Sequence, residues 1–266
     1  MGLLQPRQEV DAFIVSYPKC GRTWLRVMLA KYVQEAFNIP DFTPGDCKKR
    51  YDILNVRFSH DQGNWVPAPI HASKIHTPST KFYDYPLVFV VRDPRDVLVS
   101  SYMHLRYREK LYKGSISEFI RDKHVGIEKI VNFFNVWAQI LDQHSRCLCV
   151  SYEDMQKAPS EQFENILRTI GITDIDLDAL RKAVSFSSFE NMKRMEATGK
   201  GHSPWLQAGD TKDERTYKTR KGKIGDYLEH LEKDDIEFLD RLINQKLSAY
   251  FQQYHCIRNR VRTQDI

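Results

Sequence analysis

Residues 12–24 read Ala12-Phe13-Ile14-Val15-Ser16-Tyr17-Pro18-Lys19-Cys20-Gly21-Arg22-Thr23-Trp24. The run up to Tyr17 is apolar and Pro18 stops it, so it reads as a buried strand ending in a loop. Beyond Gly21 the period changes. Leu25, Met28, Leu29, Tyr32 and Val33 recur at helical spacing, up to Phe37 and Pro40. The chain therefore opens strand–loop–helix. Gly21 lets the backbone approach a ligand closely, and the helix start offers free N–H groups and the positive end of its dipole to an anion. Lys19 adds a cation and Thr23 a hydroxyl donor. This is the equipment of a phosphate loop, but not of the ordinary nucleotide-triphosphate loop, G-x-x-x-x-G-K-[ST]. Here the lysine precedes the glycine and the first glycine is missing. Taken alone, Lys-x-Gly-x-Thr is equally a plain structural turn.

Outward from this stretch, residues 87–91 (LVFVV) are continuously apolar, as in a strand buried on both faces of a parallel sheet. Pro94 sits where a helix can begin, with Val97, Leu98, Ser101, Tyr102 and Leu105 on one side. A helix is expected over 126–141, where Ile127, Ile130, Val131, Phe134, Trp137 and Leu141 form one apolar stripe that reads as core. Residues 147–151 are a third strand, followed by a helix over 160–170. A last helix over 233–251 packs Leu239, Leu242, Ile243 and Leu247. Residues 38–70 read as loops, 70–76 as a strand, and the polar stretch 197–225 as a mobile lid. Strands alternating with helices predict an α/β fold, with a central parallel sheet flanked by helices in a single domain over residues 1–266. Ligands on such sheets bind beyond the carboxyl ends of the strands, so the loops after the strands are the places to search.

Composition narrows the function classes. The net charge is +5, an excess that favours an anionic ligand but is too small to argue for nucleic acid. Lys48-Lys49-Arg50 and Arg258, Arg260 and Arg262 read as solvated surface. No stretch approaches the roughly 20 apolar residues of a spanning helix, and the first residues lack a secretory apolar core. A cytoplasmic setting without membrane association is the expectation. The five cysteines are scattered, and the pair Cys147-x-Cys149 has no second pair to complete a metal set.

The second loop reads Val91-Arg92-Asp93-Pro94-Arg95-Asp96-Val97-Leu98-Val99-Ser100. Arg92 from the strand end and Ser100 from the helix can meet one phosphate; an ordinary ion-pair network of Arg92, Arg95 and Asp96 is the alternative. Arg92 also stands where a metal-assisted phosphoryl-transfer site wants an acid, although Asp93 is adjacent. A third segment reads Arg220-Lys221-Gly222-Lys223-Ile224-Gly225-Asp226-Tyr227. Two cations beside a permissive glycine make an anion clamp, or else a solvated lid.

Together, Tyr-Pro-Lys-x-Gly-x-Thr-Trp, Arg-Asp-Pro-Arg-Asp-x-x-x-Ser and Arg-Lys-Gly-x-x-Gly-Asp resemble the cofactor signatures of the cytosolic-type sulfotransferases. These use 3'-phosphoadenosine 5'-phosphosulfate (PAPS) and release 3'-phosphoadenosine 5'-phosphate (PAP). The order matches, from about Phe13 to Tyr227. The resemblance implies the phosphate-loop sulfotransferase architecture and transfer of a sulfuryl group to a hydroxyl of a small-molecule acceptor. It implies that Lys19, Cys20, Gly21, Arg22, Thr23 and Trp24 hold the 5'-phosphosulfate, with Trp24 also near the adenine. Arg92 and Ser100, helped by Arg220, Lys221 and Gly222, would bind the 3'-phosphate. Tyr152 in Ser151-Tyr152-Glu153-Asp154-Met155, and Ser188-Phe189 in Ser187-Ser188-Phe189-Glu190-Asn191-Met192, resemble the adenine-side segments. His76 in Lys74-Ile75-His76-Thr77-Pro78 resembles the active-site Lys-x-His-x-Pro. The implied roles are general base for His76, charge neutralisation for Lys19 and Lys74, and restraint of Lys19 by Ser100. No metal is implied.

Two positions depart from the family pattern. Cys20 replaces a common serine, and Arg22 stands where a small hydroxyl residue is frequent. The dimer motif of animal members is not seen, so no oligomeric state follows. The competing readings are a phosphate-loop kinase-like NTPase, which needs magnesium and ATP, and a non-catalytic PAP-binding protein. The acceptor lining falls in 38–70, 102–125 and 197–219, with Phe58, Trp65, Phe82, Tyr83, Tyr102 and Tyr107 serving as pocket or core.

Overall fold

The computed structural model describes residues 10–39, 55–60, 80–199 and 206–256. Strand β1 (Ala12–Ser16) is fully buried and leads through the quoted loop into helix α1 (Arg22–Ala36). A short edge strand, β2 (Val56–Ser59), follows, then β3 (Leu87–Val91) and helix α2 (Pro94–Met103). Asp93 caps α2, its side chain accepting from the Arg95 N–H, and Pro94 takes the first position, where no backbone donor is needed. Helices α3 (Ile116–Arg121) and α4 (Ile127–Gln143) precede strand β4 (Cys147–Ser151). Four more helices follow, α5 (Tyr152–Lys157), α6 (Pro159–Thr169), α7 (Leu177–Phe186) and α8 (Phe189–Thr198), and α9 (Lys233–Lys246) comes last.

The described strands form one parallel sheet in the order β2-β1-β3-β4. The α/β class with a central parallel sheet is the one expected. The order reverses at β1, so a crevice opens beyond the carboxyl ends of β1 and β3, where such sheets hold ligands. The core lies against β3, every residue of which is buried. The Phe89 ring stacks on Trp137 of α4 with centroids 5.3 Å apart.

Two expectations meet a different outcome. Residues 38–70 contain β2, which four residues of half-exposed edge, Val-Arg-Phe-Ser, did not announce as a strand. The last helix stops at Lys246, although the apolar spacing runs on through buried Leu247 and Phe251. Asn135 breaks it: its amide donates to the Lys246 carbonyl (2.6 Å) and its oxygen accepts from the Ser248 N–H (2.7 Å). Of the two readings left open for Phe82, the core one holds: it is buried edge-on to Phe13 and Trp137. The strand expected over 70–76 lies outside the described residues.

Candidate functional site

The crevice is a cleft of about 800 Å³ beside the quoted loop. Gly21 precedes α1 with φ 95°, no side chain caps the helix, and its first turn carries no acid. The N–H groups at this helix start are left for an external anion. Lys19 itself holds a left-handed φ of 73°, which costs a lysine of order 1–3 kcal/mol and persists only where the surroundings impose it. Burial pushes its ammonium down to about 7, helped by Lys218, Arg108 and Arg92 and opposed by Glu196. Such a lysine gains charge when an anion arrives.

Arg92 joins the three sequence segments. Its guanidinium donates to the Lys19 carbonyl (3.4 Å), to Asp96 Oδ2 (3.4 Å) and to the Lys223 carbonyl (3.0 Å), while Nε is buried with no hydrogen-bond partner. Asp96, fully buried, also accepts from the N–H groups of Gly225 (2.9 Å) and Tyr227 (3.0 Å). It thereby ties the third segment to α2. Arg95 faces elsewhere, donating to Asp93, Asp240 and the Tyr254 carbonyl. The ion-pair reading therefore suits Arg95, and of the two arginines Arg92 lines the cleft.

Tyr152, at the start of α5, is packed from four sides. The Arg92 guanidinium lies 4.4 Å from its ring centroid and Trp24 meets it edge-on at 5.8 Å. Its hydroxyl donates to the Gly222 carbonyl (3.3 Å). A Cβ on Gly21 would come 2.7 Å from its ring, so Gly21 is required by contact as well as by φ. Gly222, φ 62°, sits against Phe189 in the same way, with a built Cβ 2.5 Å from the ring. The chain thus brings Lys19, Gly21, Arg22, Thr23, Trp24, Arg92, Ser100, Tyr152, Phe189, Arg220, Lys221 and Gly222 to one cleft. The Cys20 side chain is wholly buried beneath the loop, its thiol pushed up by burial, and Ser187 rather than Ser188 lines the cleft. Lys74 and His76 lie outside the described residues, as does Trp65.

The clamp cations are held by internal acids. Arg220 pairs with Asp226, and Lys221 with Glu229 (2.6 Å) and Asp226 (3.3 Å). Residues 206–225 are tethered: the buried Glu196 carboxylate accepts from the N–H groups of Lys218 (2.7 Å) and Thr219 (2.9 Å), and Arg108 donates to the carbonyls of Thr216 (2.8 Å) and Gln207 (2.7 Å). Sequence reasoning missed Arg108, Lys218, His60 and Gln156 on the cleft. None belongs to a phosphate-binding pattern. Their signal is cationic or polar character in segments without periodicity, which also describes a solvated surface. Among the described residues no three His, Cys, Asp or Glu side chains form a metal-binding group, and no helix is long and apolar enough to cross a membrane.

Comparison with known proteins places this cleft in a family. The sulfotransferase domain matches residues 9–251. The chain belongs to the sulfotransferase family. A flavonol 3-sulfotransferase of Flaveria bidentis is 28% identical over 259 residues, covering 90% of this chain and 82% of its own. Cytosolic sulfotransferase 12 of Arabidopsis thaliana is 21% identical, covering 91% and 78%. Among solved structures, mouse sulfotransferase SULT7A1 complexed with PAP superposes with a TM-score of 0.63 at 20% identity, covering 91% of this chain and 86% of that one. The sulfotransferase fold is thus shared throughout, and the phosphate-loop architecture expected from the motifs is the one found.

Proposed function

We propose that the chain transfers a sulfuryl group from PAPS to a hydroxyl of a small-molecule acceptor, releasing PAP. The observation that carries this reading is the convergence of the Lys19–Trp24 loop, Arg92 with Ser100, and the Arg220–Gly222 segment on one cleft. The residues present fit the nucleotide. Arg92 Nε is a buried donor without a partner, the helix start is uncapped, and the Tyr152 and Phe189 rings stand against the two glycines. Membership of the family, and PAP in the solved structure of the mouse relative, support the same donor. Relatives named as flavonol sulfotransferases support a small-molecule acceptor, and the cytosolic relatives a cytoplasmic setting. The single domain, with 197–225 acting as a lid over the nucleotide, is part of the proposal.

In this reading Lys19, the loop N–H groups and Thr23 hold the 5'-phosphosulfate. Arg92, Ser100, Arg220 and Lys221 hold the 3'-phosphate, and Tyr152 and Phe189 flank the base. PAPS supplies an activated sulfuryl group: the acceptor oxygen forms a bond to sulfur as the bond from sulfur to the 5'-phosphate oxygen breaks. His76 takes the proton of the acceptor hydroxyl, work suited to a group whose ordinary pKa is about 6.5. Lys19 and Lys74 offset the charge that builds on the leaving phosphate and sulfuryl oxygens. Ser100 restrains Lys19 until the acceptor is present. Asp93, the acid next to Arg92, is engaged by the Arg95 N–H (2.9 Å) and guanidinium (3.1 Å), which counts against the kinase-like alternative.

Calorimetric titration with PAP, beside ATP with magnesium, tests the reading. Tight PAP binding with little ATP binding is expected; preference for magnesium–ATP overturns it. His76→Ala is expected to lower sulfuryl transfer about 10²–10⁴-fold with PAP binding intact. Near-normal turnover removes His76 from the mechanism. Because lysine and arginine neutralise the charge, transfer is expected to persist in EDTA, and loss of activity there would assign a metal.

A further inference from the structure

One wall of the cleft carries a side chain, Arg22, that the family pattern would give to the 5'-phosphosulfate but that the structure turns away from the rest of the phosphate loop, toward β2. This wall lies at the end of β2, on the far side of β1 from Arg92, and consists of Arg22, Arg26, Phe58 and His60. Arg22 and Arg26 are four apart on α1 and so share a face. The Arg26 guanidinium lies 4.6 Å from the Phe58 ring centroid. The Arg22 guanidinium does not turn to solvent. It reaches the end of β2 and donates through Nη2 to His60 Nε2. His60 Nδ1–H in turn donates to the Ser16 carbonyl (3.1 Å), which fixes the neutral tautomer and leaves Nε2 as the acceptor. A neutral imidazole accepts a hydrogen bond from Arg22 but supplies no counter-charge.

The remaining edge of Arg22 is unsatisfied. Nη1 is shielded from water and has no hydrogen-bond partner. Among the described residues no carboxylate pairs with Arg22, and burial, reinforced by Arg26, pushes it down to about 9. The same guanidiniums and burial hold His60 down to about 3, so the imidazole stays neutral. A half-buried arginine on the wall of a cleft, with one guanidinium nitrogen shielded from water and unpartnered and no counterion among the described residues, is a site whose anion arrives with a ligand. The fork of a guanidinium matches an oxyanion with two oxygens in one plane. The phosphates of the nucleotide are addressed by Lys19, the helix start, Arg92 and the Arg220–Gly222 segment in the functional reading, which leaves the β2 wall for the acceptor.

We propose that Arg22 forms an oxyanion site for the acceptor, so that the enzyme's substrates are hydroxy acids: molecules with a reacting hydroxyl, an apolar body against Phe58, and a carboxylate or sulfonate held by Arg22. This rests on the sulfotransferase reading. It makes Arg22, a departure from the family pattern, the residue that sets substrate class.

The test is binding to the enzyme already saturated with PAP, so that the nucleotide's own anion sites are filled. The probes are 4-hydroxybenzoate, 4-hydroxyphenylacetate and 4-hydroxycinnamate, each beside its methyl ester, and 4-hydroxybenzenesulfonate, titrated calorimetrically into wild type and Arg22→Met. In wild type at least one acid, carboxylate or sulfonate, is expected to bind about 10- to 100-fold tighter than the esters, the worth of a hydrogen-bonded buried charge. In Arg22→Met the acid-to-ester ratio is expected to fall toward one. Equal binding of acids and esters in wild type, or no binding of any probe, overturns the proposal. So does an Arg22→Met variant that keeps the acid preference, or one that loses PAP affinity instead, which would place Arg22 on the 5'-phosphate. Failure of PAP to bind wild type would sink the sulfotransferase reading itself, a separate result.

Discussion

Lys19→Met is expected to lower sulfuryl transfer about 10²–10³-fold, the loss typical when a fixed donor aimed at developing charge is removed. PAP affinity falls by much less, because the loop N–H groups and Thr23 remain. The free enzyme holds Lys19 half-buried, with its pKa lowered to about 7 by burial and by Lys218, Arg108 and Arg92. At pH 8 the side chain is therefore largely neutral before the nucleotide binds. A multiply charged anion beside it raises the pKa again, so binding takes up a proton. The phosphates add nothing to that signal at pH 8, since their second ionisation lies near about pH 6. The sign follows: PAP affinity declines as pH rises above about 7, over the span by which the bound nucleotide raises the pKa. Calorimetry at pH 8 in two buffers of different ionisation enthalpy measures the uptake, and Lys19→Met is expected to reduce it. An unchanged turnover in Lys19→Met would remove Lys19 from catalysis, and no proton uptake by wild type at pH 8 would remove it as the group that charges on binding.

What was legible in the sequence follows from how each contact is made. Strands buried on both faces, such as Leu87–Val91, announce themselves by unbroken apolar runs, and Cys147–Ser151 was bounded correctly from its residues alone. The edge strand Val56–Ser59 carries no such run, because half of it faces water. Helix α7 was missed although Leu177, Leu180 and Val184 repeat at helical spacing, and the buried partner it packs on, α1, is distant in sequence. The phosphate-binding motifs are short because backbone geometry makes them, so glycines and adjacent cations mark them locally. Arg22 shows the limit. Its identity was visible as a departure from the pattern, but its partner His60 is 38 residues away, and only the parallel pairing of β1 with β2 brings them together. Arg108 and Lys218 reach the cleft from opposite sides of a long excursion, which no local period encodes.

Arg92→Ala is expected to weaken PAP about 100-fold or more, and AMP far less. A charge-assisted contact between an arginine and a phosphate in a shielded cleft is worth about 2–5 kcal/mol when one partner is truncated, and AMP lacks the 3'-phosphate that this side chain would meet. The variant also loses stability, and the amount can be bounded. Removing one member of a buried ion pair ordinarily costs about 3–5 kcal/mol because a bare charge is left behind. Asp96, however, keeps the Gly225 and Tyr227 N–H groups at 2.9 and 3.0 Å, and its pairing with Arg92 is long at 3.4 Å. About 1–3 kcal/mol is therefore expected, the range for losing a hydrogen bond to a charged group. Urea denaturation of the free protein measures that loss, and calorimetry of PAP beside AMP measures the selectivity. Arg92→Lys separates the two effects. It restores the counter-charge for Asp96 but not the fork that spans the Lys19 carbonyl, Asp96 and the Lys223 carbonyl, so stability recovers further than PAP affinity. Equal losses for PAP and AMP in Arg92→Ala would mean that Arg92 only braces the loops. The 3'-phosphate would then rest on Ser100, Arg220 and Lys221.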